Sequence, residues 1–157
     1  MARLAAGRKA PEFELPSDGG GVIKLADLRG RPVVLFFYPQ DDTETCTKEA
    51  VAFSQLKGEF DKLGAALVGI SPDSQRKHDK FKAKYGLEVD LASDPARQAI
   101  EAYGVWAEKT TFGRSYMGVV RTTFLIDAAG KIKKIWHVER VAGHAQEVLE
   151  SVRALVA

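Results

Sequence analysis

From Val33 to Tyr38 the chain runs Val-Val-Leu-Phe-Phe-Tyr without a polar residue, and Pro39 follows. An uninterrupted β-branched and aromatic run of this length reads as a buried strand. Proline, which has no backbone donor, stops it. After a short polar turn the apolar residues return at helical spacing. Phe53, Leu56, Phe60 and Leu63 predict one amphipathic helix from about Thr43 to Leu63, with Gly64 as the residue just past its end. Ala66–Ile70 is a second buried strand, stopped by Pro72, and Ser74–Tyr85 is a lysine-rich amphipathic helix ended by Gly86, its charges forming a solvated face. Leu87–Leu91 predicts a short strand. Ser93-Asp94-Pro95 starts a helix through Tyr103, with Pro95 in its first turn and Gly104 closing it. Val119–Ile126 predicts a strand, Asp127–Gly130 a turn, and Lys131–Val138 the hairpin partner. Ala145, Leu149, Val152 and Val156 give a closing helix.

Ahead of all this, residues 10–25 read as a hairpin. Phe13 and Leu15 alternate with glutamates, Ser17–Gly21 turns, and Val22–Leu25 returns. The glycine triplet lies between two strand-like runs and no Lys-Ser/Thr follows it, so it is a turn and not a phosphate loop. The order is therefore a hairpin, then β-α-β-α, then β-β-α. Alternating strands and helices imply a parallel portion of an α/β sheet, to which the late hairpin adds antiparallel strands.

Composition narrows the class. At 157 residues the chain is expected to be one domain, 1–157, and to bury about two-thirds of its unfolded surface. A net charge of +2, from 23 Lys+Arg against 21 Asp+Glu, contains no basic block, so no nucleic-acid partner is expected. One cysteine makes no internal disulfide, and nothing argues for an oxidising compartment. The apolar run in MARLAAGRKAPEFEL is too short for a signal peptide, and no segment is long enough to span a membrane. A soluble cytoplasmic protein is expected. His78, His137 and His144 show no close ligand spacing, so neither a metal nor another cofactor is expected.

The chemistry converges on Cys46, in the first turn of the predicted helix after Pro39. A lone cysteine is most often a small buried hydrophobe. Here, however, the first-turn N–H groups lack helical partners and the macrodipole is positive, which favours a thiolate. Ala50 and Phe53 follow at i+4 and i+7, so the sulfur is also partly covered by the apolar face.

Pro39-x-x-x-Thr43-x-x-Cys46 resembles the P-x-x-x-T-x-x-C signature of the peroxiredoxins. The surrounding FFYPQDDTETCTKEA is similar to the subfamily called bacterioferritin comigratory protein, or PrxQ. Ala10–Pro16, Leu28–Leu35, Tyr103–Lys109 and Arg121–Asp127 agree in the same order, so the resemblance spans nearly the whole chain. It implies a thioredoxin-like fold with an N-terminal β-hairpin extension and a central mixed sheet flanked by helices. It also implies a thiol-dependent peroxidase that reduces hydrogen peroxide and alkyl hydroperoxides through a Cys46 sulfenic acid.

By that resemblance Arg121 faces the sulfur, where a guanidinium stabilises a thiolate and donates to the peroxide. Thr43 would orient a peroxide oxygen through its hydroxyl, and Pro39 would shield the thiolate. Glu49, one turn past Cys46, would hold Arg121 by a bidentate pair, and Trp106 would line the pocket. Taken singly, Thr43 is an N-cap, Pro39 a strand terminator, Arg121 an edge charge and Glu49 a solvated helix residue; the joint pattern makes the site.

The chain departs from the subfamily twice. Glu44-Thr45 replaces a Pro-Gly, placing in the first turn a carboxylate that suits the helix dipole but repels a thiolate two residues away. The usual places for a resolving cysteine, five residues on or in the next helix, hold Val51 and Lys82. A one-cysteine enzyme is expected, recycled by an external thiol such as thioredoxin, glutaredoxin or a small thiol. The alternatives are a disulfide reductase, which needs the Cys-x-x-Cys that Thr43 interrupts, and a redox sensor acting through oxidised Cys46. The exposed lysine-rich helix argues for a monomer, with a weak dimer as the alternative.

Overall fold

A computed structural model describes residues 4–157; the first three residues of the N-terminal run weighed above against a signal peptide lie outside the described residues. Its centre is β3, Val33–Phe37, in which every residue is buried. Successive side chains of a strand point to opposite faces, and here both faces are apolar. Val33, Leu35 and Phe37 enter one cluster, and Val34, Phe36 and Tyr38 enter another. Around β3 the sheet runs β5-β4-β3-β8-β9, with β4 at Ala66–Ser71, β5 at Asp90–Ser93, β8 at Thr122–Ile126 and β9 at Ile132–His137. β3, β4 and β5 are parallel, while β8 is antiparallel to β3 and β9 to β8. This is the mixed α/β sheet expected from the element order.

The first cluster lies under the N-terminal hairpin, β1 (Glu14–Pro16) and β2 (Val22–Lys24), and under α4 (Gln98–Ala102), through Phe13, Leu15, Ile100 and Tyr103. The second is covered by α1 (Glu44–Gln55), α2 (Lys57–Lys62), α3 (Gln75–Tyr85) and α5 (His144–Val156), through Phe53, Phe60, Phe81 and Val148. Gly69 of β4 admits the Phe36 ring, because a Cβ there would meet Phe36 Cζ at 2.7 Å. No helix among the described residues is long and apolar enough to cross a membrane.

Four expectations are corrected. The helix predicted over 43–63 is two helices, broken at Leu56 (φ −97°, ψ 2°), and Gly58, a poor helix former, sits just beyond the break. The strand expected at Leu87–Leu91 begins only at Asp90. Leu87 N–H instead closes α3 on the Lys82 carbonyl, and Glu88 N–H donates to Ser54 Oγ, so neither is free for a ladder. The helix expected from Pro95 starts at Gln98, where the Asp94 carboxylate accepts from the N–H groups of Gln98 and Ile100 at 2.8 Å. Finally, Val119 does not open the strand ending at Ile126; it ends β7 (Arg114–Val119), which pairs with β6 (Trp106–Thr111) in a hairpin that was not expected.

Candidate active site

Three elements build the site. β3 ends at Phe37, and Tyr38 N–H still bonds the Ile70 carbonyl of β4 at 3.0 Å. Half-buried Pro39 then turns the chain away past the C-terminal end of this central strand. Thr43 is the N-cap of α1, in extended conformation (φ −90°, ψ 157°), but its hydroxyl does not cap the helix. It donates to the Gln40 carbonyl at 3.1 Å and closes the preceding turn, while the Thr43 carbonyl accepts from Thr47 N–H at 2.9 Å. Cys46 falls in this first turn, with 2% of its surface exposed, in the same apolar cluster as Ala50 and Phe53.

Arg121 reaches the sulfur from the link between β7 and β8. One guanidinium nitrogen, Nη2, donates to Cys46 Sγ at 3.3 Å, and the other, Nη1, donates to Glu49 Oε1 at 2.6 Å. The planar fork thus bridges sulfur and carboxylate, a geometry a lysine could not copy. The pair with Glu49 uses one carboxylate oxygen, where a bidentate pair was expected. Burial alone would lower the guanidinium's pKa; Glu49 and the sulfur outweigh it and hold Arg121 above its ordinary range.

Glu49 is 2% exposed and its Oε2 has no hydrogen-bond partner among the described residues. Burial therefore outweighs the charge of Arg121 and pushes its carboxyl up to about 7 from the ordinary 4.5. The folded protein then holds this proton more tightly than the unfolded chain does. The stability it contributes is complete below the unfolded value of 4.5 and is lost as pH rises through about 7. Glu49→Gln, permanently neutral and still able to accept from Arg121, is expected to escape that loss. Its Tm relative to wild type should rise by on the order of 5 °C between about pH 5 and about pH 8. Parallel Tm curves across that range would show that Glu49 is ionised throughout.

Glu44, expected to repel the sulfur, projects into solvent with 84% of its side chain exposed and pairs with Lys48 at 3.2 Å. Trp106, expected at the pocket wall, packs against the first cluster with the Arg97 guanidinium 4.5 Å from its ring centroid. Lys82, where a resolving cysteine would stand in α3, is bonded at 2.8 Å to Asp18 of the N-terminal hairpin turn.

Two buried polar groups escaped the sequence reading. Thr123 of β8 and His144 of α5 meet at 2.8 Å. Burial, aided by the charge of Arg121, lowers the His144 pKa against the pull of Glu147. The other group joins Asp41, Asp73 and His78, whose ligand-type atoms lie within 4.8 Å of one another although the histidine spacing in sequence gave no sign of it.

A family profile described as the AhpC/TSA family matches residues 6–135. The chain is 44% identical to the peroxiredoxin Bcp of Bacillus subtilis over 147 residues, covering 94% of each chain. It is 40% identical to the peroxiredoxin Bcp of Xanthomonas campestris, covering 92% of each. Among solved structures, it is similar to Xanthomonas campestris bacterioferritin comigratory protein, studied for alkyl peroxide reduction through trapped intermediate and ligand complexes. That likeness has a TM-score of 0.90 at 36% identity and covers 98% of this chain and 100% of the other. A Cys-to-Ser mutant of Xylella fastidiosa PrxQ matches with a TM-score of 0.93 at 32% identity, over the whole of both chains.

Proposed function

The chain belongs to the AhpC/TSA family and is a peroxiredoxin, a thiol-dependent peroxidase; from that premise we propose that Cys46 is its nucleophile, reducing hydrogen peroxide and alkyl hydroperoxides. The observation that carries this reading is the Arg121 fork, which donates to Cys46 Sγ and Glu49 Oε1 at once. The thiolate attacks the terminal peroxide oxygen. A sulfur–oxygen bond forms, the O–O bond breaks, and alkoxide or hydroxide leaves, taking a proton from water. Arg121 favours the thiolate before attack and offers a donor to charge developing on the peroxide. Thr43 orients the peroxide and Pro39 limits water. The near-complete burial of Cys46 supports this, since water would solvate the nucleophile.

Cys46 is the only cysteine, so the sulfenic acid has no internal partner. An external thiol condenses with it, releasing water and leaving a mixed disulfide, and a second thiol releases Cys46 and carries away the oxidised pair. With Cys46 2% exposed, a protein thiol such as thioredoxin or glutaredoxin reaches its sulfur only if the first turn of α1 yields, whereas a small thiol needs less opening. The working form is a cytoplasmic monomer. Peroxide consumption against a panel of thiol donors tests the scheme. With one equivalent of peroxide and no donor, dilute enzyme is expected to stop as a monomeric sulfenic acid that dimedone traps. Rapid, complete disulfide dimerisation at low concentration would overturn the external-thiol step.

A further inference from the structure

The turn between Pro39 and Thr43 is anchored by a buried network whose hub is Asp41. The Asp41 N–H donates to Asp73 Oδ2 at 2.7 Å, and Ser71 Oγ donates to that same oxygen at 2.7 Å. Of the Asp41 carboxylate oxygens, Oδ1 accepts from the Tyr38 hydroxyl at 2.6 Å and Oδ2 lies 2.7 Å from His78 Nδ1. His78, on α3, is 0% exposed, and its Nε2 lies 3.0 Å from the Ala92 carbonyl. A carbonyl only accepts, so Nε2 carries a hydrogen. One proton then lies between Nδ1 and Oδ2, whichever atom holds it, and the pair is neutral overall. These hydrogen bonds account for the clustering of Asp41, Asp73 and His78.

The next residue, Asp42, is left-handed (φ 60°), a conformation unfavourable for a residue with a Cβ. Lys84 at 2.7 Å and the Tyr85 hydroxyl bind its carboxylate, and both come from α3. Thr43 follows and begins α1. The Cys46 turn and the Thr43 hydroxyl therefore take their place from how α3 grips residues 41 and 42, whereas Arg121 takes its place from the link between β7 and β8. A small shift of the grip would displace one half of the site against the other.

We propose that His78 is a positioning residue for peroxide attack, acting through Asp41 on the Pro39–Thr43 turn; this rests on the Cys46 peroxidase reading above. Two substitutions separate the link to Asp41 from mere filling of space. In asparagine the amide nitrogen stands as many bonds from Cα as His78 Nδ1, so His78→Asn keeps a donor for Asp41. In glutamine it stands as many bonds away as Nε2, so His78→Gln keeps the Ala92 bond and loses Asp41. Both remove the ring. His78→Gln is expected to slow peroxide attack by on the order of tenfold to a hundredfold, because reacting groups move out of attack geometry. Alkylation of Cys46 by iodoacetamide, which feels Arg121 only through the charge on the thiolate and needs no donor aligned on the reagent, should change by less than about threefold, and His78→Asn should stay within about threefold of wild type in both reactions.

Asp41→Ala cuts the same link while leaving the His78 ring in the core, and is expected to match His78→Gln. Equal losses in the Asn and Gln variants, tracking their Tm, would overturn the proposal, as would an Asp41→Ala enzyme with wild-type peroxide rate. A wild type with no peroxide turnover would instead overturn the reading beneath it, a different result from an active wild type whose variants are unchanged.

Discussion

Cys46→Ser is expected to abolish peroxide reduction and leave the fold in place. The two side chains differ by one atom, and the site already holds a partner for the new hydroxyl, since Arg121 Nη2 sits 3.3 Å from the sulfur it replaces. The buried oxygen is therefore not orphaned, and a Tm within a few degrees of wild type, about 1 kcal/mol for a chain of this size, is expected. Chemistry fails for a different reason. Serine holds its proton far too tightly to present an anion at neutral pH, and the group that contacts the sulfur, Arg121, is a donor that cannot take that proton. A variant keeping about a tenth of wild-type turnover, a barrier change of only about 1.4 kcal/mol, would show that the sulfur is not the nucleophile.

What the sequence made legible follows the range of the forces involved. β3 was plain because its five consecutive residues are all apolar and all buried. α3 was plain from its ends, with the Ser74 side chain accepting from Lys77 N–H and Gly86 in the left-handed conformation after the last turn. The β6–β7 hairpin was not, because most of its residues are exposed on both faces and no alternation marks a core side. Its signal was the turn, Phe112-Gly113, where both residues have positive φ, 52° and 76°. The break at Leu56 was equally hidden, since Phe53 and Phe60 fit one helical stripe whether or not the backbone is continuous.

The site divides in the same way. That Cys46 begins a helix just past a buried strand is a local fact, readable from Pro39 and the spacing of Ala50 and Phe53. The approach of Arg121 across 75 positions is not local, and only the likeness of the Arg121–Asp127 stretch to a known family pointed to it. Glu49 reads as a solvated helix residue until the sheet places Arg121 beside it. The Asp41–His78 contact, 37 positions apart, had neither a local pattern nor a resemblance to reveal it.

Arg121→Met should slow peroxide attack by roughly a hundredfold to a thousandfold, the usual cost of losing a donor aimed at developing charge. Methionine has similar length and no charge, so packing between β8 and α1 is largely kept. Removing one partner of a buried ion pair ordinarily costs about 3–5 kcal/mol, because the other charge is stranded. Glu49 avoids that fate. Its carboxyl is already pushed up to about 7 with Arg121 present, so without the guanidinium it takes a proton and becomes a neutral acid. The variant therefore folds, and its kinetics report on the site. Alkylation of the sulfur by a neutral reagent feels only the lost stabilisation of the thiolate, about tenfold for each 1.4 kcal/mol. Peroxide attack feels that same loss and also the missing donor to the O–O bond. Stopped-flow peroxide reduction and iodoacetamide alkylation, measured on one preparation, should thus slow unequally, peroxide the more. Equal slowing would leave Arg121 only its hold on the thiolate, and unchanged rates in both would remove it from the chemistry despite its contact with the sulfur.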